Sequence, residues 1–112
     1  MIYVFYKMKS VPQETVLQYI ADAANKTTFI EKVVLYGSRV RGTARLMSDY
    51  DLAVKLMPGT SITEWYAFTV NADDEAPTLC ELAFLHWTDK LRPEFAANIA
   101  REGVVVYERN SD

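Results

Sequence analysis

The chain has 112 residues, half of them apolar and about a quarter charged, with a formal net charge of −3 and an isoelectric point near 5.1. That is one globular domain with a modest core, and the acidic balance argues against a broad nucleic-acid-binding surface. One cysteine, Cys80, and one histidine, His86, exclude an internal disulfide framework, a multi-cysteine zinc site and HExxH chemistry, and the lone thiol suits a reducing cytoplasm.

The chain opens on MIYVFYKMKS. Its apolar run is too short for a membrane span, and no small-residue cleavage site follows. It reads either as a short edge strand or as a leader to a domain whose natural start is Met8 rather than Met1. Ser10 and Pro12 form an N-cap region with proline in the first turn. Val16, Ile20 and Ala23 then recur at helical spacing, which predicts a helix over 12–25 closed by Asn25 and Lys26. Glu31–Tyr36 is a β-branched apolar run, so a buried strand. Gly37 and Ser38 form a turn. Tyr50–Leu56 alternates as a second strand.

Pro58, Gly59 and Thr60 break the chain, and Thr60 or Ser61 caps a helix carrying Ile62, Trp65, Tyr66 and Phe68. Asn71–Pro77 is predicted to be an acidic loop and Thr78–His86 a third strand. A helix beginning at Thr88 puts Leu91, Phe95, Ile99 and Ala100 on one face and ends at Gly103. Val104–Tyr107 is a last strand. The expected fold is one small α/β domain over residues 1–112, a mixed β-sheet with helices packed on it.

The chemistry concentrates in residues 36–54, YGSRVRGTARLMSDYDLAV. Alternate strand residues share a face, so Asp49 and Asp51 lie on one side, about 7 Å apart along the strand. Two carboxylates so placed suit oxygen ligation of one or two hard divalent cations. Gly37 permits a tight turn, Ser38 adds a hydroxyl, and free N–H groups there can cradle an anion. Arg39, Arg41 and Arg45 add positive charge, and Gly42 bends the loop again. An anion cradle beside a cation site matches a nucleoside triphosphate with magnesium. Singly these signals are weak: Gly-Ser turns are common, and acidic pairs often sit on solvated strands. Arg39 and Arg41 read as phosphate or partner contacts in preference to a solvated loop.

Taken together, GSRVRG at 37–42 and SDYDL at 48–52, with ten residues between Ser38 and Asp49, resemble the GSx10DxD signature of the minimal nucleotidyltransferases of the DNA polymerase β superfamily. IAREGVVVYE at 99–108 is similar to the usual end of these domains. The resemblance implies that Gly37 and Ser38 bind nucleotide phosphates with Arg39 and Arg41 nearby. It implies that Asp49 and Asp51 hold metal, with two magnesium ions expected. The third carboxylate, by the same resemblance, comes from LCELAF at 79–84 and is Glu81 where aspartate is usual. Alternation sets Glu81 beside apolar neighbours, where burial would be costly without a partner. The extra methylene puts catalytic rate in doubt more than nucleotide binding, because magnesium demands near-octahedral geometry. Asp73, Asp74 and Glu75 form a weaker acidic set. Cys80 reads as a buried small residue, His86 as an ordinary hydrogen-bonded histidine, and Trp65, Trp87 and Tyr36 as packing.

The domain leaves little chain to grip a second substrate. Members of the resembled group act as type VII-like antitoxins that transfer AMP from ATP to a tyrosine of a HEPN ribonuclease toxin. The resemblance therefore implies a cytoplasmic, hetero-oligomeric protein adenylyltransferase with ATP as substrate and neither direct nucleic-acid nor membrane binding. The alternatives are a binding antitoxin with weak or no catalysis, and a transferase acting on a small molecule.

Overall fold

The computed structural model describes residues 11–110. Among them four helices alternate with four strands: α1 Gln13–Asn25, β1 Ile30–Tyr36, α2 Ser38–Arg41, β2 Tyr50–Leu56, α3 Ile62–Glu75, β3 Leu82–His86, α4 Pro93–Glu102 and β4 Val104–Glu108. The strands form one mixed sheet in the order β3-β2-β1-β4. β1 pairs antiparallel with β2 and β4, and β3 lies parallel to β2. The parallel pair follows from the connection: two parallel neighbours need a long crossover, which α3 supplies. The predicted α/β domain with a mixed sheet is the fold observed. The readings of Met1 against Met8, of an N-terminal edge strand and of Ser10 as cap lie outside the described residues.

Strand alternation sorts the side chains onto two faces. Val33, Leu35, Leu52 and Val54 face one side, where Val16 and Ile20 of α1 and Phe68 and Ala72 of α3 close the main core. Val34 and Ala53 face the other side and pack on Ile99 of α4. No polar or charged residue is buried among the described residues, so the core holds by apolar packing on both faces of the sheet.

Helix boundaries depart from expectation at three places. Pro12 is the N-cap of α1 rather than a first-turn residue, and no side chain caps that helix. Asn71–Glu75 is not a loop: α3 runs on to Glu75. Ala72 is buried against the core, and that anchorage holds the acidic turn helical where local composition alone suggests a loop. Ser61 begins α3 with a full capping box, its Oγ accepting from the Glu64 N–H while Glu64 accepts from the Ser61 N–H. α4 starts at Pro93, not Thr88, because proline suits a first helical position and disfavours helix before it. Of its expected apolar face, Ile99 is buried and Phe95 is 42% exposed. β3 starts at Leu82 rather than Thr78.

Candidate nucleotidyl-transfer site

The site forms where β1 leaves the sheet and β2 enters it. β1 ends at Tyr36, directly across from Asp51 on β2. Gly37 then turns the chain at φ +82° into the single helical turn Ser38–Arg41. Gly37 O accepts from the N–H groups of Val40 and Arg41, while the first N–H groups of such a turn have no intrahelical acceptor. A Cβ built on Gly37 would collide with the Asp51 carboxylate. The aspartate therefore lies against bare glycine backbone, and the turn and the acidic strand form one unit.

Asp49 and Asp51 act on each other. The Asp51 carboxyl is held above the ordinary aspartate range, first by burial and then by the Asp49 charge, with Arg41 pulling the other way. Arg41 Nη1 also lies 3.7 Å from Glu102 Oε2 on α4. Tyr36 rests edge-on against Phe95, ring centroids 5.9 Å apart. Its hydroxyl is shifted upward by burial and by Asp51. Gly37, Asp51, Arg41, Phe95 and Asn98 line one concavity of about 420 Å³ between β2 and α4. The Asp51 carboxylate, a cation and a glycine turn thus open onto a cleft with an aromatic and an amide on its far wall.

Arg39 sits differently from its neighbour Arg41. Its Nη2 and Nε donate to Ser48 O at 2.8 and 3.1 Å, and Nη2 reaches Leu46 O and Cys80 Sγ, each at 3.4 Å. The guanidinium stacks over the Tyr50 ring at 3.9 Å. It clamps the loop before β2 and so fixes the approach of Asp49. Sequence reasoning set Arg39 beside the phosphates and missed this clamp. Cys80 belongs to it, half-buried, with its thiol donating to Leu46 O at 3.3 Å. Arg45 is exposed, and its N–H donates to Ser48 Oγ at 2.7 Å.

Glu81 is tied to the site through its backbone. Tyr50 N–H donates to Glu81 O at 2.9 Å, and Tyr50 pairs with Leu82, so Glu81 and Asp49 stand at matching positions just before that pair. Its side chain is exposed, so the burial cost expected from the sequence does not arise. It lines a separate concavity with α3. Among the described residues no three His, Cys, Asp or Glu side chains gather into a metal-holding group: the structure brings Asp49 and Asp51 together and leaves Glu81 beside them. Asp73, Asp74 and Glu75 lie exposed at the end of α3. His86 is exposed at the end of β3, its ring 5.3 Å from that of Trp65.

Residues 18–112 match the family model described as Polymerase beta, Nucleotidyltransferase. The chain belongs to that nucleotidyltransferase family. Among curated proteins, none matches by sequence. Solved structures carry the same fold. One is a crystal structure of a toxin–antitoxin with AMP-PNP, 15% identical, with a TM-score of 0.57, covering 91% of this chain and 77% of that one. Another is a candidate nucleotidyltransferase from Sulfolobus solfataricus, 14% identical, with a TM-score of 0.55, covering 88% of this chain and 81% of that one. Among the described residues of the nucleotidyltransferase no helix is long and apolar enough to cross a membrane.

Proposed function

We propose that this nucleotidyltransferase is a cytoplasmic, magnesium-dependent antitoxin that transfers AMP from ATP to a tyrosine of a partner HEPN-type ribonuclease toxin. The observation that carries the reading is the Asp51 carboxylate set against the Gly37 turn, with the Asp49 charge close enough to act on it. Two carboxylates that repel each other, one of them pushed toward protonation, form a donor set that a divalent cation would relieve. The solved toxin–antitoxin with AMP-PNP supports both the nucleotide and the kind of partner.

Asp49 and Asp51 would hold magnesium. Bound there together with the nucleotide, the ion would supply neutralisation of phosphate charge. A second ion, implied by the sequence resemblance, would draw on Glu81. The Gly37–Ser38 turn would seat the phosphates, with Arg41 supplying a further positive charge at the cleft and Arg39 keeping the loop in place. The acceptor hydroxyl oxygen would form a bond to the α-phosphorus as the bond to pyrophosphate breaks. Its proton would pass to a carboxylate on the β3 side, where Glu81 stands. Catalysis of this kind rests on positioning and charge.

Glu81 lines the groove beside α3 and not the cleft that Asp51 lines, which favours a second reading. The chain would silence its toxin by forming a complex, with little transfer. Intact-mass spectrometry separates the two. The toxin is incubated with this protein, ATP and magnesium, and Asp49→Asn/Asp51→Asn serves as control. Mass gains in AMP units, absent from the control, establish transfer. A silenced toxin of unchanged mass in a stable complex leaves the binding antitoxin.

A further inference from the structure

Among the described residues β3 is an edge strand, hydrogen-bonded only to β2. Glu81 O accepts from Tyr50 N–H, and Trp87 N–H donates to Val54 O. In a parallel ladder these groups alternate, so the residues at 81, 83, 85 and 87 turn their backbone inward. Phe84 and His86 then turn their N–H and C=O groups outward, away from β2, and no backbone hydrogen bond from a turn or loop reaches either among the described residues. An open edge of this kind is a template for another strand.

Beside that edge runs a stripe of α3 that no other described element covers. Ile62, Tyr66 and Val70 recur every fourth residue and are 66%, 58% and 63% exposed. Between edge and helix lies a concavity of about 910 Å³ whose lining includes Asp73, Asp74 and Glu81 and no lysine, arginine or histidine. Its lining mixes apolar side chains such as Tyr66, Val70 and Phe84 with polar ones, its charge is wholly negative, and one end reaches Glu81, next in register to Asp49.

We propose that this groove docks an extended, basic segment of the partner protein as an added strand on β3. The inference rests on the reading that the chain transfers a nucleotide to a partner's hydroxyl. Main-chain bonds to Phe84 and His86 supply affinity, and alternate side chains of the segment pack on Tyr66 and Val70. Lysine or arginine on the segment meets Asp73 and Asp74. The added strand runs past Glu81, so a hydroxyl carried on it is delivered to the acidic end of β2. This gives a domain of such small size a way to hold a second substrate.

The test uses the 15N-labelled full chain and a short synthetic strand peptide that carries valine and lysine on one face and threonine on the other, about one tyrosine. A peptide with glutamate in place of lysine is the control. Hydrogen exchange at the Phe84 and His86 amides is expected to slow by about tenfold or more on saturation with the basic peptide. Asp73→Lys/Asp74→Lys, two exposed changes, should weaken that peptide by about tenfold, and Tyr66→Ser, which removes packing without adding charge, should weaken it as well. Equal binding of the glutamate peptide, protection elsewhere in the chain, or protection that rises with protein concentration in the absence of peptide would each overturn the proposal. The last outcome would mark the edge as a self-association surface. Docking at β3 without nucleotide transfer would keep this inference and sink the transferase reading. Transfer to the toxin with β3 unprotected in their complex would do the reverse.

Discussion

Gly37 and Asp51 occupy each other's space: the carboxylate fills the volume that any side chain at position 37 would need. The glycine also sits at φ +82°, a region other residues enter only at a cost. Gly37→Ala therefore meets two penalties at once. It should lower stability by about 1–3 kcal/mol and abolish nucleotide transfer by displacing Asp51. Denaturant unfolding of Gly37→Ala, Asp51→Ala and the double variant separates the penalties. The steric part should be regained in the double variant, with a coupling of about 0.5–3 kcal/mol, and the backbone part should remain.

Asp51 gives a pH dependence of definite sign. Its carboxyl is raised by burial and by Asp49, so the folded state holds its proton more tightly than the unfolded chain does. Stability from this group is greatest in acid and falls as pH rises from the ordinary aspartate range through the raised one. Asp51→Asn removes the loss. At neutral pH without metal it should raise the melting temperature by roughly 3 °C while reducing transfer at least about 100-fold. A thermal melt that drops instead would show that burial of the Asp51 charge, with its repulsion from Asp49, does not govern this site.

Arg39→Lys tests the loop clamp. Lysine keeps the charge but loses the fork on Ser48 O and the stacking on Tyr50. The expected loss is about 1–2 kcal/mol, read by denaturant unfolding. Proteolysis between Thr43 and Met47 should quicken. Arg41→Lys, at an exposed ion pair, should change stability by less than about 0.5 kcal/mol.

Gly103 closes α4 without any unusual backbone angle. A Cβ there would strike Val34 Cγ1 and Ile99 O. Gly103→Ala should cost about 1–3 kcal/mol by overpacking, and Val34→Ala in the same chain should return part of it. Equal loss in the single and double variants would place the effect outside this contact.

The sheet was legible because β1 and β2 are long, apolar and β-branched, and because Gly37 and Asp49–Asp51 mark their ends. The pairing that brings Tyr36 opposite Asp51 is tertiary and leaves no local mark. Arg39 shows the same gap. A cation in an SRVR run looks free for phosphate, and only the fold reveals Ser48 O and Tyr50 beside it. Asn71–Glu75 misled because charge density suggests solvent, whereas burial of Ala72 alone decides the helix. Glu81 falls just before β3 rather than within it, and its exposure depends on that irregular approach, which alternation cannot foresee.

The strand order has a consequence for synthesis. β1 lies between β2, which follows it closely in the chain, and β4, which comes last among the described strands. Arg109, just past β4, donates to Thr27 O at 2.7 Å and Ile30 O at 2.8 Å, at the point where α1 passes into β1. On the ribosome the β1–β2 hairpin can therefore assemble early, while the other flank of β1 stays open until nearly the whole domain has emerged. A nascent chain paused before β4 carries the metal-binding aspartates of the proposed site on a half-built sheet, with Val34 and Leu35 still awaiting their neighbours. Chaperone engagement should concentrate in that interval.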